Sequence, residues 1–212
     1  MNVLSIDFDI IMAPDINLYN NLVGASPNGE RSIDKRIEEY PMLNGCRADL
    51  NHYQKIINYL MKIIKDIDVE NIRVSLTHED IKNVLNDMEN VHVYNIDHHH
   101  DLGYIQPSEK DVENNRQEDC SCANWGEFYF NKEIIKYFTW INNVNSSIDN
   151  GWEKDVRVNM KPLADFDLDT LPKMDKLFLC LSPEWVPSTY HPLFYLILDL
   201  INKEKECHLE LH

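Results

Sequence analysis

The hydrophobic positions of this chain fall into short runs that end in polar or acidic residues, separated by stretches of helical spacing. Val3-Leu4-Ser5-Ile6 predicts a first strand, Ile72-Arg73-Val74-Ser75-Leu76 a second, and Val91-His92-Val93-Tyr94-Asn95-Ile96 a third. Lys176-Leu177-Phe178-Leu179-Cys180-Leu181 is a fourth, apolar enough to be buried on both faces. Between the first two, Leu50, Tyr53, Ile57, Leu60, Met61 and Ile64 share one helical stripe. Thr77, with Asp80 three residues on, predicts an N-cap for a helix turning Ile81, Val84, Leu85 and Met88 inward. A terminal helix from about His191 to Lys203 would bury Leu193, Leu196, Ile197, Leu200 and Ile201. The aromatic-rich stretch Trp125, Phe128, Tyr129, Phe130, Tyr137, Phe138 and Trp140 predicts a helix from about Asn131 onward, followed by turn-like residues 142–152. Residues 106–119 are too polar and too long for a plain connector, and loops of that kind often cover sites.

Strands separated by helices imply an α/β fold, a three-layer αβα arrangement around a mostly parallel sheet. Ligands of such sheets sit beyond the carboxyl ends of the strands. Asp7 and Asp9 follow the first strand, His78 the second, Asp97 to Asp101 the third, and Glu184 the fourth. Every candidate chemical group therefore belongs to one edge.

Two acidic segments carry the chemistry: Ser5-Ile6-Asp7-Phe8-Asp9 and Asp97-His98-His99-His100-Asp101. Strand alternation would set Asp7 and Asp9 on one face, and likewise Asp97, His99 and Asp101. Crowded carboxylates at a buried strand end are costly unless a cation neutralises them. Oxygen and imidazole ligands suit a hard divalent ion such as manganese, and four carboxylates balance two such ions. A two-metal hydrolytic centre is the expectation, with His78 a further candidate ligand. His98 and His100 should point away from the metals, each a candidate for supporting a ligand or carrying a proton near neutral pH. Glu184, in Ser182-Pro183-Glu184-Trp185, is either a solvated turn carboxylate or a bidentate partner for a guanidinium. Asn124-Trp125-Gly126 is either packing or a hydrogen-bonding amide beside an aromatic wall. Asp165-Phe166-Asp167-Leu168-Asp169 repeats the acidic spacing, but is Pro-flanked without a clear preceding strand, and reads as a turn or acidic surface.

At 212 residues and 43% hydrophobic content the chain predicts one domain, 1–212. No run approaches the roughly 18 apolar residues of a membrane span, and the start lacks a signal peptide's basic region, so a cytoplasmic protein without membrane contact is expected. Five cysteines, an odd number, argue against structural disulfides, and Cys120-Ser121-Cys122 lacks the spacing of a zinc knuckle. A formal net charge of −16 argues against nucleic acid and favours a cationic small molecule or basic peptide.

At these residues the chain resembles the ureohydrolase (arginase and agmatinase) superfamily, whose centres carry Asp-x-His-x-Asp and Ser-x-Asp-x-Asp motifs. Asp97 to Asp101 matches the first and Ser5 to Asp9 the second. The second motif lies late in ordinary ureohydrolases and is N-terminal here, which implies an arginase-like fold with permuted motif order. With Asp-His-His-His-Asp-Leu-Gly-Tyr, Asn-Trp-Gly and Ser-Pro-Glu-Trp, the chain looks most like the peptide arginases. Those small enzymes convert arginine to ornithine within ribosomally made precursor peptides. The resemblance implies two Mn2+ ions bridged by Asp97 and Asp7, with His78 and Asp101 completing one shell and His99 and Asp9 the other. It implies water activated between the ions and a guanidinium held by Glu184, with Asp101 and His100 as further candidate catalytic residues. Asn124 and Trp125 would contact substrate. The His of the arginase Gly-Asn-Leu-His stretch has no counterpart in Ala123-Asn124-Trp125-Gly126.

Two other classes compete. A manganese phosphoesterase of the Asp-His-His type fits Asp97-His98-His99, but no His precedes His52 and only 6 Gly are present, so that family's other motifs are missing. A non-catalytic, metal-stabilised binding module would keep the ligands without the chemistry.

Overall fold

The computed structural model describes residues 1–13, 34, 47–103, 120–143, 146, 152–209 and 211. The polar loop 106–119, most of the turn-like stretch 142–152 and Cys46 lie outside the described residues. Six strands form one sheet: β1 (Asn2–Asp7), β4 (Ile72–Ser75), β5 (Val91–Ile96), β6 (Ile135–Asn142), β7 (Val158–Pro162) and β8 (Lys176–Cys180). Their order is β4-β8-β1-β5-β6-β7, and every neighbouring pair is parallel. Two short strands, β2 (Met12–Ala13) and β3 (Arg47–Ala48), pair antiparallel outside it. The α/β expectation holds at this level. Among the described residues no helix is long and apolar enough to cross a membrane.

Alternation along the strands divides the core. Leu4, Ile6, Tyr94, Ile96, Leu177 and Leu179 face α1 (Leu50–Ile63) and α4 (His191–Lys205), burying Ile56, Leu60, Phe194, Ile197 and Ile201. Val3, Val93, Phe178 and Cys180 face α2 (Lys82–Leu85) and α3 (Trp125–Asn131), burying Val84, Leu85, Trp125 and Tyr129. Helices thus cover both faces, and β1, flanked by β8 and β5, is one of the two central strands. Asp49 starts α1 by accepting from Asn51 N and His52 N at 2.8 and 3.2 Å.

Several expectations shift. The helix predicted from Asn131 onward ends there, and Ile135–Asn142 is a strand. Its β-branched and aromatic residues fit a pleated surface, and pairing with β5 and β7 overrides the helical reading. β7 was not legible, because an exposed edge strand needs no apolar pattern. It does precede the Asp165–Asp169 segment, yet Asp167 there only caps a short turn, accepting from Asp169 N at 3.0 Å. β7 is three strands from β1, about 14 Å at the usual spacing. Leu50 and Leu196 are exposed, because the buried stripes of α1 and α4 are rotated by about one residue from the predicted ones. Thr77 holds the cap position without a side-chain cap bond, and Asp80 instead accepts from Ser75 Oγ at 2.6 Å.

Candidate metal centre

Strand alternation alone would set the ligands in line along two strands, and the structure places them differently. β1 ends at Asp7 and β5 at Ile96, so Asp9 sits in a 3-10 turn (Phe8–Ile11) and Asp97 to Asp101 in irregular backbone beyond the sheet. The residues still meet, because all of these turns leave the same carboxyl edge around the central strands. Asp7, His78 and Asp97 form one ligand group, and Asp9, Asp97 and His99 a second. Within each group one ligand atom per residue lies within 4.8 Å of the others, and Asp97 belongs to both.

His78 Nδ1 faces three carboxylates: Asp101 Oδ2 at 3.0 Å, Asp7 Oδ2 at 3.2 Å and Asp97 Oδ2 at 3.3 Å. None meets it with hydrogen-bond geometry. Its other nitrogen, Nε2, contacts Ser5 Oγ at 2.7 Å, which turns Nδ1 toward the carboxylates. In the second group His99 Nδ1 lies 2.8 Å from Asp9 Oδ2, again without hydrogen-bond geometry at that oxygen. Atoms that converge but do not bond to one another are the arrangement a cation would complete. Asp7, Asp9, Asp97 and Asp101 are all buried, and among the described residues no Lys or Arg forms an ion pair with any of them. Leaving such charges unneutralised would cost several kcal/mol per ion. The donor set, oxygen and imidazole only, can hold a hard divalent metal ion.

The electrostatics agree. Burial, then the charges of Asp7 and Asp97, push the Asp9 carboxyl well above its usual range. Burial and Asp97 do the same to Asp101. Burial also acts upward on Asp97, but contact with His78 outweighs it and holds this carboxyl below the usual range. For His78, burial works against protonation, and the surrounding carboxylates, Asp101 foremost, overcome it and raise the imidazole well above its ordinary value.

A supporting layer fixes these side chains. Asp97 accepts from Asn95 Nδ2 at 3.0 Å and His99 N at 2.8 Å, and its carbonyl accepts from Trp140 Nε1 at 2.9 Å. Ser182 Oγ donates to Asp7 Oδ2 at 2.7 Å, and Trp125 Nε1 to Asp101 Oδ2 at 2.8 Å. Asp101 and Ser182 both hold left-handed backbone, φ 53° and 49°, at about 1 kcal/mol or more each. Gly126 N donates to Asp101 O at 2.9 Å, and a Cβ on Gly126 would stand 2.9 Å from that oxygen, so Asn-Trp-Gly docks on the metal-bearing turn. Sequence reasoning gave no role to Ser5, Asn95, Ser182 or Trp140. Ser5 and Asn95 carried a usable signal, a polar residue inside an otherwise apolar strand.

The other candidates separate. Trp125 is fully buried behind Asp101, and Asn124 Oδ1 accepts from Ser121 N and Ser121 Oγ at 2.8 and 3.0 Å. His98 and His100 belong to neither ligand group. His100 Nδ1 accepts from Leu102 N at 3.1 Å, and burial first of all lowers His98 to about 3 and His100 to about 4, so both are neutral near pH 7. Glu184 is half-buried in the turn after β8, close enough for its charge to act on the Cys122 and Cys180 thiols. Cys120, Cys122, Cys180 and Cys207 are free thiols. Set against known proteins, the chain matches no family model, no curated protein and no solved structure.

Proposed function

We propose that this chain is a manganese-dependent hydrolase that cleaves the guanidinium of arginine side chains in a precursor peptide, giving ornithine and urea. The observation that carries the reading is the pair of buried Asp/His ligand groups sharing Asp97. Four carboxylates match two divalent ions in charge, and the parallel sheet with helices on both faces suits an arginase-like αβα fold with permuted motifs. Bound there, two Mn2+ ions would lower the pKa of water toward neutrality and so supply the nucleophile for the guanidinium carbon. Asp7, Asp97, His78 and Asp101 would hold one ion, and Asp97, Asp9 and His99 the other. Glu184 would fix the guanidinium plane through paired N–H donors, and Asp101 is the carboxylate assigned to receive the proton of the attacking water and return it to the leaving amine. Ser5, Ser182, Asn95 and Trp125 would keep the ligands in place through their hydrogen bonds. A net charge of −16 favours a basic peptide as partner over nucleic acid, and the setting proposed is peptide maturation in the cytoplasm.

The test is metal analysis of the purified protein, followed by incubation of the Mn2+-loaded chain with arginine, agmatine and an arginine-containing peptide, assaying urea and ornithine. Urea from the peptide in preference to free arginine supports the reading. Bound metal without urea from any of the three would leave a metal-stabilised binding module instead.

A further inference from the structure

We propose that Trp185 is the specificity-determining residue of this centre, its indole forming an aromatic wall that selects a planar cation. The inference rests on the reading of the site as a guanidinium hydrolase and names the residue that recognises that group. Access decides where a substrate meets the ligands. The side chains of Asp7, Asp9, His78, Asp97 and Asp101 are at most 5% exposed, whereas that of His99 is 16% exposed. The His99 side of the ligand groups is therefore the one nearest solvent. The Trp185 ring stands there, 4.6 Å from the His99 ring and tilted 48° to it, and is itself partly exposed.

The turn carrying Trp185 is tied to the centre. Trp185 N and Val186 N both donate to Ser182 O, at 2.9 and 3.0 Å, while Ser182 Oγ holds Asp7. The same turn carries Glu184, half-buried and next in sequence to Trp185. A half-buried carboxylate and a partly exposed indole on one turn would attract a cation and offer it a π surface. Guanidinium is flat and weakly hydrated, so it can leave water and lie on an indole, whereas an ammonium is compact and holds its water. A neutral urea has the shape without the charge.

The experiment titrates the full-length, Mn2+-loaded protein with methylguanidinium, methylammonium and methylurea by calorimetry, using wild type, Trp185→Phe and Trp185→Leu. Wild type should prefer methylguanidinium over both others by about tenfold, Trp185→Phe should keep most of that preference, and Trp185→Leu should reduce it to about twofold. Mn2+ content should be unchanged in both variants. With an arginine peptide, Trp185→Leu should raise KM about tenfold, since the contact is made with the flat cation of the bound substrate. Equal affinity of wild type for the three probes overturns the proposal, whether or not a variant folds. So does loss of Mn2+ with KM unchanged, which would make Trp185 a support for His99. If probe selection behaves as stated but no peptide yields urea, the hydrolase reading fails and the cation selector stands. Urea production that Trp185→Leu leaves unaltered gives the reverse.

Discussion

Asp97 is the residue on which the two ligand groups depend together, and Asp97→Asn isolates that role. The residue is fully buried and shared by both groups, so losing its charge should weaken both ions at once. The amide keeps an oxygen for His99 N, and Asn95, whose Oδ1 makes no hydrogen bond, can turn its own amide to receive the new NH2. The folding penalty without metal should therefore stay within about 1–2 kcal/mol. Metal is different. An ion bound only by the native state stabilises it by about 2.7 kcal/mol at a hundredfold excess over Kd, so two contribute about 5 kcal/mol. At about 2–4 °C per kcal/mol for a chain of this length, saturating Mn2+ should raise the wild-type Tm by roughly 10–20 °C. Asp97→Asn should abolish that rise. Asp9→Asn, which touches only the second group, should remove about half of it and one of two ions. Asp167→Ala, far along the sheet, should keep the full rise. Calorimetric scans with and without Mn2+, paired with elemental analysis, make the measurement. An Asp97→Asn protein that still gains the wild-type increment would refute the shared-ligand argument.

Glu184→Gln should leave Mn2+ content intact while raising KM for an arginine peptide at least about tenfold, because shape is kept and charge is lost; lost metal would make Glu184 a ligand instead. Trp125→Phe removes the 2.8 Å N–H donor to Asp101, and Mn2+ titration should show affinity about tenfold weaker, an unchanged value excluding the supporting role. Without metal, stability should fall as pH rises from 6 to 9. The raised His78 stabilises fully below its ordinary value and loses that contribution as pH passes its folded value, and the raised Asp9 and Asp101 carboxyls act in the same sense. The lowered Asp97 contributes only above the ordinary carboxylate range and is constant across this window. Mn2+ displaces those protons, so its Tm increment should grow from pH 6 to 8, and a flat increment in thermal scans would contradict the assignment.

The sequence by itself determined the elements whose burial is written into their composition. β1, β5 and β8 are short apolar runs inside a parallel sheet, and β4, at its edge, is a largely buried one. It also determined that Asp7, Asp9, His78, Asp97, His99 and Asp101 belong to one edge, because parallel strands bring all their carboxyl ends to the same side. The helix-like aromatic stretch became β6 only through its neighbours, and β7 had no apolar pattern to reveal it, because none of its residues is fully buried. The tertiary structure alone decided how the ligands divide into two groups and that Asp97 joins them. That division depends on turns, not strand periodicity: a 3-10 turn re-aims Asp9, and left-handed backbone at Asp101 and Ser182 sets their side chains on His78 and Asp7. Hydrogen bonds from Ser5, Asn95, Ser182 and Trp125 span up to 175 residues, and contacts at that separation leave no local period for a sequence to display.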